Sequence, residues 1–449
     1  MSNIFLRSVT GKDGGPVQFP TGISIGSGVL GTNHIGVAGQ PGFGVGICPG
    51  PLPSGMTPLP NYMSQVSDNY GNYQYSDGSV MVWVPAFFYK WGTGANGLAL
   101  NAVDIQPFSA YATVADANAA GYALHRAFYD GGVQPGFFVD KYIVSNNGGI
   151  ASSLRNGIVI TTGQRGSLST AVNTSLTGAP ANTLGGCIAA AKTRGANFFA
   201  SSRFIFAALA MLSYAHAKAS SSTTYCAWYH ATYNMPKGNN NNALGDAQDA
   251  AILYVADGNG TYLGCGKTGS ANLFARTTHN GMNSGVADLN GLVWEFTPGL
   301  TSDATNLYVL KTTACMKDVT GGNTLATDLF GATGIAALYD SLGTTYEALW
   351  ATAANRTIYL GNATNQVFSA ATSGNAWNYA GLGAPLAAGI GGVNAFGNDG
   401  IFDYKPNEMA PISGGYWIDA SFAGVWAFNL SYARTTSSEI VGFRSALYL

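Results

Sequence analysis

Charge is what this chain has least of. Only 20 basic and 22 acidic side chains occur among 449 residues, 9% of the total, where soluble domains carry about 25%. A formal net charge of −2 supplies no field for a phosphate backbone or an anionic lipid surface. Nucleic-acid binding and electrostatic membrane attachment are therefore not expected. Long apolar runs are missing too. The longest helical one, FIFAALAML (204–212), falls well short of the roughly 20 residues that cross a bilayer, so membrane insertion is not expected either. The opening stretch MSNIFLRSVTGKDGG has no apolar core of the secretory type, which argues against Sec export. Cysteine is scarce and unpatterned. Cys48, Cys187, Cys226, Cys265 and Cys315 are odd in number and form no C-x-x-C pair, the pattern of reduced thiols in a cytoplasmically assembled product. The sequons at Asn173 and Asn429 are then idle.

With so few charges, the surface must be built from Asn, Ser, Thr, Gly and Tyr. Sixty-one glycines and 24 tyrosines without a collagen period imply many tight turns and an aromatic-rich exterior. Residues 1–75 are rich in Gly and Pro, with short pieces such as GPVQF and TGISI between turns. They read as a small β-rich attachment or oligomerisation module, ahead of a larger domain at 76–449. Stronger strands follow in SVMVWVPAFFYKW (79–91) and GFFVDKYIVSN (136–146), both aromatic and β-branched. Helices are expected over TLGGCIAAAKTRG and over SSRFIFAALAMLSYAHAKA. In the second, Ser201 or Ser202 caps and apolar residues recur at Phe204, Ala208, Met211 and Ala215. Beyond Ala219 loops dominate, with brief strands at AILYVA, GLVWEF and NLYVLK, an asparagine run at 239–242 and an insertion at about 300–395. Loops of that length in an α+β frame usually exist for a function.

Motif matches fail on context. GISIG (22–26) fits G-x-S-x-G, and GSGVLG (26–31) fits G-x-G-x-x-G, but neither is followed by a helical pattern. TYLGCGKT (261–268) ends like a phosphate-binding loop, yet Thr261 stands where the first glycine belongs, and that glycine lets backbone amides curl around phosphate. His34, His125, His216, His230 and His279 lack metal-ligand spacing and read as structural or surface residues. Asp288 and Glu295 are seven residues apart; carboxylates in so uncharged a segment read as partners of an arginine rather than as an acid/base pair. KPNE (405–408) opens with lysine where a calcium ligand would be acidic. No catalytic residue, metal or cofactor is expected.

Three blocks occur in a telling order: GFFVDKYIVSN, HNGMNSGVADLNGLVWEFTPG, and SGGYWIDASFAGVWAFNLSYARTTSSEIVGFRSAL. The chain resembles C-type-lectin folds of the formylglycine-generating-enzyme kind, with a first strand, a D-L-x-G-x-V-W-E block and terminal G-G-x-W … G-F-R strands. Together with VPAFFYKW and CAWYHATYNMPKGNNNNALGD, they resemble phage tail-fibre receptor-binding proteins, including the variable proteins of diversity-generating retroelements. The resemblance implies an α+β, C-type-lectin-like domain with long loops and insertions. It further implies a homotrimer on a phage tail tip or fibre that contacts other tail or baseplate proteins and binds a bacterial surface receptor, either glycan or outer-membrane protein.

Within that resemblance the closing segment divides in two. Gly414, Gly415, Trp417, Gly442, Phe443 and Arg444, with Trp294, Glu295 and Asp288, form the expected scaffold, and Arg444 is expected to meet Glu295 or Asp288 because a lone buried guanidinium is too costly. Tyr416, Ile418, Asp419, Ser421, Phe422, Phe428, Ser431, Tyr432, Thr435, Thr436, Ser437 and Ser438 follow neither a two-residue nor a 3.6-residue period. They are expected to point outward, as rigid aromatics and small hydrogen-bonding groups do in antibody paratopes. In retroelement-diversified proteins such positions vary through adenine-directed mutagenesis of asparagine codons; most of these residues are reachable from such codons, whereas Trp426 and Glu439 are not. Two other readings are a cell-displayed variable protein and an oxidase of the formylglycine-generating type. The oxidase is disfavoured because Ser445 follows Gly-Phe-Arg and no cysteine occurs after Cys315.

Overall fold

Segments rich in aromatic and β-branched residues pair as short strands, and the Gly- and Asn-rich stretches between them become loops. The computed structural model describes residues 23–25, 28–30, 33–230, 236, 242–246, 248–319, 338–342, 356–360, 365–386, 396 and 399–449. The GPVQF segment, the start of the asparagine run, the outer glycines of GISIG and much of 320–395 lie outside them. In chain order the organising strands are β1 (Met56–Pro58), β2 (Asn72–Tyr75), β3 (Val80–Pro85), β4 (Gly136–Asp140), β5 (Phe199–Ala200), β6 (Trp294–Phe296), β7 (Arg356–Tyr359), β8 (Gly400–Asp403), β9 (Ile412–Ser413), β10 (Phe428–Asn429), β11 (Val441–Gly442) and β12 (Ser445–Leu447). The main helices are α1 (Gly186–Ala191), α2 (Arg203–Ala219) and α3 (Gly374–Gly381).

Two six-stranded sheets result. The first runs β5-β12-β4-β3-β2-β1 and is antiparallel throughout; the second runs β7-β8-β10-β9-β6-β11 and is mixed, with parallel pairs β8–β10 and β6–β11. The architecture is α+β. The last strands tie the sheets together: the chain leaves β11 in the second sheet, passes through Phe443 and Arg444, and enters β12 in the first. Sequence-distant blocks thereby become neighbours, with Glu295 opposite Gly442 and Val139 opposite Ala446.

The expected boundary at residue 75 does not hold for the described residues 33–75. β1 and β2 belong to the first sheet, and Ile35, Phe43, Val45, Ile47 and Tyr70 are buried in the main core. Turn-rich composition had concealed a segment that sends these apolar residues inward, while Val37, Met63 and Val66 stay exposed. Helix α2 starts where expected, Ser202 accepting from the Ile205 amide through its side chain. Its burial is wider than the sequence period implied, because every residue from Arg203 to Ala217 is buried. A helix apolar on all sides belongs in an interior, and α2 packs against α3, against β9 of the second sheet and against the strand Val103–Pro107. Among the described residues no helix is long and apolar enough to cross a membrane.

Candidate functional site

The closing segment owes its shape to backbone turns that only certain residues allow. Gly414 and Gly415 sit at φ 96° and 85°, where a side chain is strained, and a Cβ on Gly415 would lie 2.4 Å from that of Ala423. The Gly424 amide donates to Gly414 O and the Gly414 amide to Ala427 O, both at 2.9 Å. Trp417 then drops inward to pack among Ile143, Val159, Tyr254 and Leu292. Trp294 and Phe443 are likewise buried, and Gly442 lies against Ile160 O.

Arg444 rivets the two sheets at their crossing. Its Nε and Nη2 donate to Glu295 Oε2 and Oε1 at 2.5 and 2.7 Å, Nη1 donates to Asp140 O at 3.0 Å, and Nη2 also donates to Ala287 O at 3.0 Å. Burial works against the guanidinium charge, and Glu295, with Asp288 and Asp140, outweighs it, holding Arg444 above its ordinary value. Of the two acids expected to meet Arg444, Glu295 forms the pair. Asp288, at φ 61°, accepts from the Gly269 amide at 2.7 Å and fixes the preceding loop. A second buried ion pair, Arg194 to Asp140 at 2.6 Å, stands beside it, with Ser445 N donating to Asp140 Oδ2. Much of this chain's sparse charge is thus spent inside.

The twelve expected surface residues separate by burial. Ile418 is 41% exposed, and Ser421, Thr435 and Ser437 are exposed with it; Tyr416, Asp419, Phe422, Ser431, Tyr432, Thr436 and Ser438 are half-buried. Phe428 is the correction. It is 2% exposed, sits in β10 between β8 and β9, and its ring lies 4.4 Å from the Arg203 guanidinium centre. A cation held inside without a carboxylate needs an aromatic face, so Phe428 is core. Trp426 is core as well, stacked on Phe368 at 4.8 Å.

Two clusters form on this face. In one, the Asp419 carboxylate accepts from the Tyr416 amide at 2.9 Å, while Tyr416 and Tyr432 both lie within the electrostatic reach of Asp419 and Glu439. Burial pushes Asp419 up to about 7, its bond to Tyr416 offsetting part of the shift. Burial also raises Tyr416 to about 12, reinforced by the nearby acids. Tyr262 joins from a distant loop, its ring 5.6 Å from Trp417 and its hydroxyl 3.4 Å from Glu439 Oε1. In the other cluster Phe422 packs 4.6 Å from Phe402 and 6.0 Å from Tyr359, directly over Gly400, where a Cβ would approach its ring to 1.7 Å. Sequence reading missed Tyr262, Tyr359 and Phe402. The available signal was an aromatic beside turn glycines in GTYLG and YLGN, which says nothing about which face the loop joins.

Hydrogen bonds of backbone and side-chain groups hold these loops. Ser437 Oγ donates to Thr162 O at 3.1 Å, Ser438 N to Thr162 Oγ1 at 2.9 Å, and Leu184 N to Thr436 O at 2.9 Å. Ser431 Oγ donates to Asn429 Oδ1 at 2.6 Å. The arrangement offers tyrosine faces, hydroxyls and carboxylates to a partner. Among the described residues it gathers no group of three His, Cys, Asp or Glu that could hold a metal ion. The Gly266-Lys267-Thr268 stretch is no phosphate loop, since Thr268 is buried with Oγ1 donating to Leu154 O and only the one-turn helix Phe274–Thr277 follows.

No family model matches the chain, and no curated protein matches it. Among solved structures it is similar to the I1 variant of Major Tropism Determinant, at 10% identity and a TM-score of 0.29, over 82% of this chain and 63% of that one. The U1 variant gives 11% identity, a TM-score of 0.29, and coverage of 83% and 65%. The chain thus spans a little under two thirds of the length of these structures. At that level of superposition the likeness carries no weight, and the fold rests on the strand pairings above.

Proposed function

We propose that this chain is a phage receptor-binding tail protein. A C-type-lectin-like C-terminal region presents the surface around Tyr416, Asp419, Phe422 and Tyr432 to a bacterial surface receptor. The observation that carries the reading is the division within residues 414–444. Turn glycines, Trp417 and the Arg444–Glu295 pair are buried and engaged, while Ile418, Ser421, Thr435 and Ser437 are exposed and seven more of the intervening side chains are half-buried, on loops held by hydrogen bonds. Such an arrangement keeps recognition groups still at low entropic cost while leaving them replaceable. The order of the sequence blocks, closing on Gly-Phe-Arg, supports the same reading.

In this reading the protein acts by adhesion and makes or breaks no bond. It is virion-associated, assembled in the host cytoplasm, and homotrimeric, so several weak contacts act together through effective concentration. The oxidase alternative finds no support in the buried Ser445 that follows Arg444, nor in Cys315, which sits in a loop remote from the closing strands in sequence. The test is a combined replacement of Ile418, Ser421, Tyr432 and Thr435 by alanine, with binding to intact host cells and the melting temperature both measured. Loss of cell binding at an unchanged melting temperature is expected; full cell binding by the variant would refute the assignment of this face.

A further inference from the structure

A cavity of about 710 Å³ is lined by none of the residues of that surface, and three of the chain's 20 basic residues line it: Lys141, Arg155 and Arg276, against the single lining acid Asp68. Its floor is built. The Lys141 ammonium is buried and donates to Asn72 Oδ1 at 2.5 Å and Asn283 O at 2.6 Å, neutral oxygens both. Arg276 is held by Asp249 at 2.5 Å through one terminal nitrogen, and Asp68 accepts from Asn283 Nδ2 at 3.1 Å. Arg155 differs. Its Nε donates to Gly269 O at 2.9 Å and its guanidinium centre lies 5.0 Å from the Phe274 ring, yet among the described residues it makes no ion pair. The guanidinium is thus placed by stacking and by the Nε bond to one carbonyl, and its nearest carboxylate influence is Asp288, which acts on it without a direct ion pair. Phe274 and Tyr142, ring centroids 6.0 Å apart, supply an apolar wall beside it.

We propose that this cavity binds an anionic saccharide, a sugar carrying a carboxylate or a phosphate, at a site separate from the Tyr416 surface. Guanidinium groups recognise both anions by paired, charge-assisted hydrogen bonds. The volume falls in the usual range of small-molecule sites, roughly 300–1,000 Å³, and exceeds what a bare ion needs. An aromatic wall suits the C–H face of a sugar ring. Burial draws Lys141 down to about 7, so an anion at the cavity floor also favours its protonated form. The inference stands on the cavity alone and does not depend on the receptor reading.

Titration calorimetry of the full chain at low salt with glucuronate, glucose 1-phosphate and glucose tests it. Binding of at least one acidic sugar is expected, with glucose at least tenfold weaker, and the stronger of the two acids identifies the anion. Arg155 is exposed, so Arg155→Ala is expected to leave the melting temperature unchanged while lowering the affinity about tenfold, a difference of about 1.4 kcal/mol. Thr435→Ala, at a residue that does not line the cavity, should bind as the wild type does. The proposal falls if neither acid binds, if glucose binds equally well, if inorganic phosphate alone binds as tightly as the sugar phosphate, or if Arg155→Ala retains full affinity.

Discussion

Replacing Phe428 by alanine tests where the scaffold ends and the recognition surface begins. The ring is 2% exposed in a strand hydrogen-bonded on both sides. Removing a buried phenyl costs about 3–5 kcal/mol in transfer and cavity terms. Arg203 adds to this. Its Nε donates to Leu382 O and its Nη1 to Ser413 Oγ, both at 2.8 Å, while Nη2 has no hydrogen-bond partner. Burial already pulls this guanidinium down to about 9, so the Phe428 face is a principal compensation for its charge, worth about 0.5–2 kcal/mol. The sum, about 3.5–7 kcal/mol, is a large share of the roughly 5–15 kcal/mol that holds a domain together. Urea unfolding followed by tryptophan fluorescence should show a strongly lowered midpoint for Phe428→Ala, whereas Thr435→Ala stays within about 0.5 kcal/mol of wild type. Should Phe428→Ala unfold within about 1 kcal/mol of wild type and lose cell binding, the ring belongs to the recognition surface and the division drawn here is misplaced.

Glu295→Gln leaves the Arg444 charge buried between the sheets and should cost about 3–5 kcal/mol, read from the same urea curves; a loss under about 1 kcal/mol would mean that the backbone carbonyls alone hold the guanidinium. Asp419 gives a pH test. In the unfolded chain its carboxyl releases its proton near the ordinary value of 3.8, in the fold only near 7, so between those values the folded state holds the extra proton and the Asp419 contribution to stability falls as pH rises. Melting temperatures of wild type and Asp419→Asn, compared from pH 4 to pH 8, should diverge in favour of the variant up to about pH 7 and run parallel above it; parallel profiles throughout would place Asp419 in solvent.

Sequence alone determined what local chemistry can dictate. The Ser202-capped helix, the aromatic strand at Gly136–Asp140, the turn glycines at 414 and 415 and the need of Arg444 for a carboxylate each follow from a few neighbouring residues or from the cost of burying a charge. Tertiary structure decided what depends on which surfaces meet. Phe428 and Phe422 stand in the same kind of irregular stretch, yet one covers Arg203 in the core and the other lies half-buried over Gly400 of β8, because β10 is flanked by strands from residues 400–413. Residues 33–75 read as a separate module because Gly and Pro hide the few apolar side chains that join the main core. Tyr262 and Arg155 acquired their neighbours through loops whose paths no periodicity encodes, and Tyr359 through the pairing of β7 with β8. Charge scarcity marked the Arg444 pair in advance, because a guanidinium buried in so uncharged a chain needs compensation; aromatic abundance marked nothing, because a tyrosine or phenylalanine is stable on either side of the boundary.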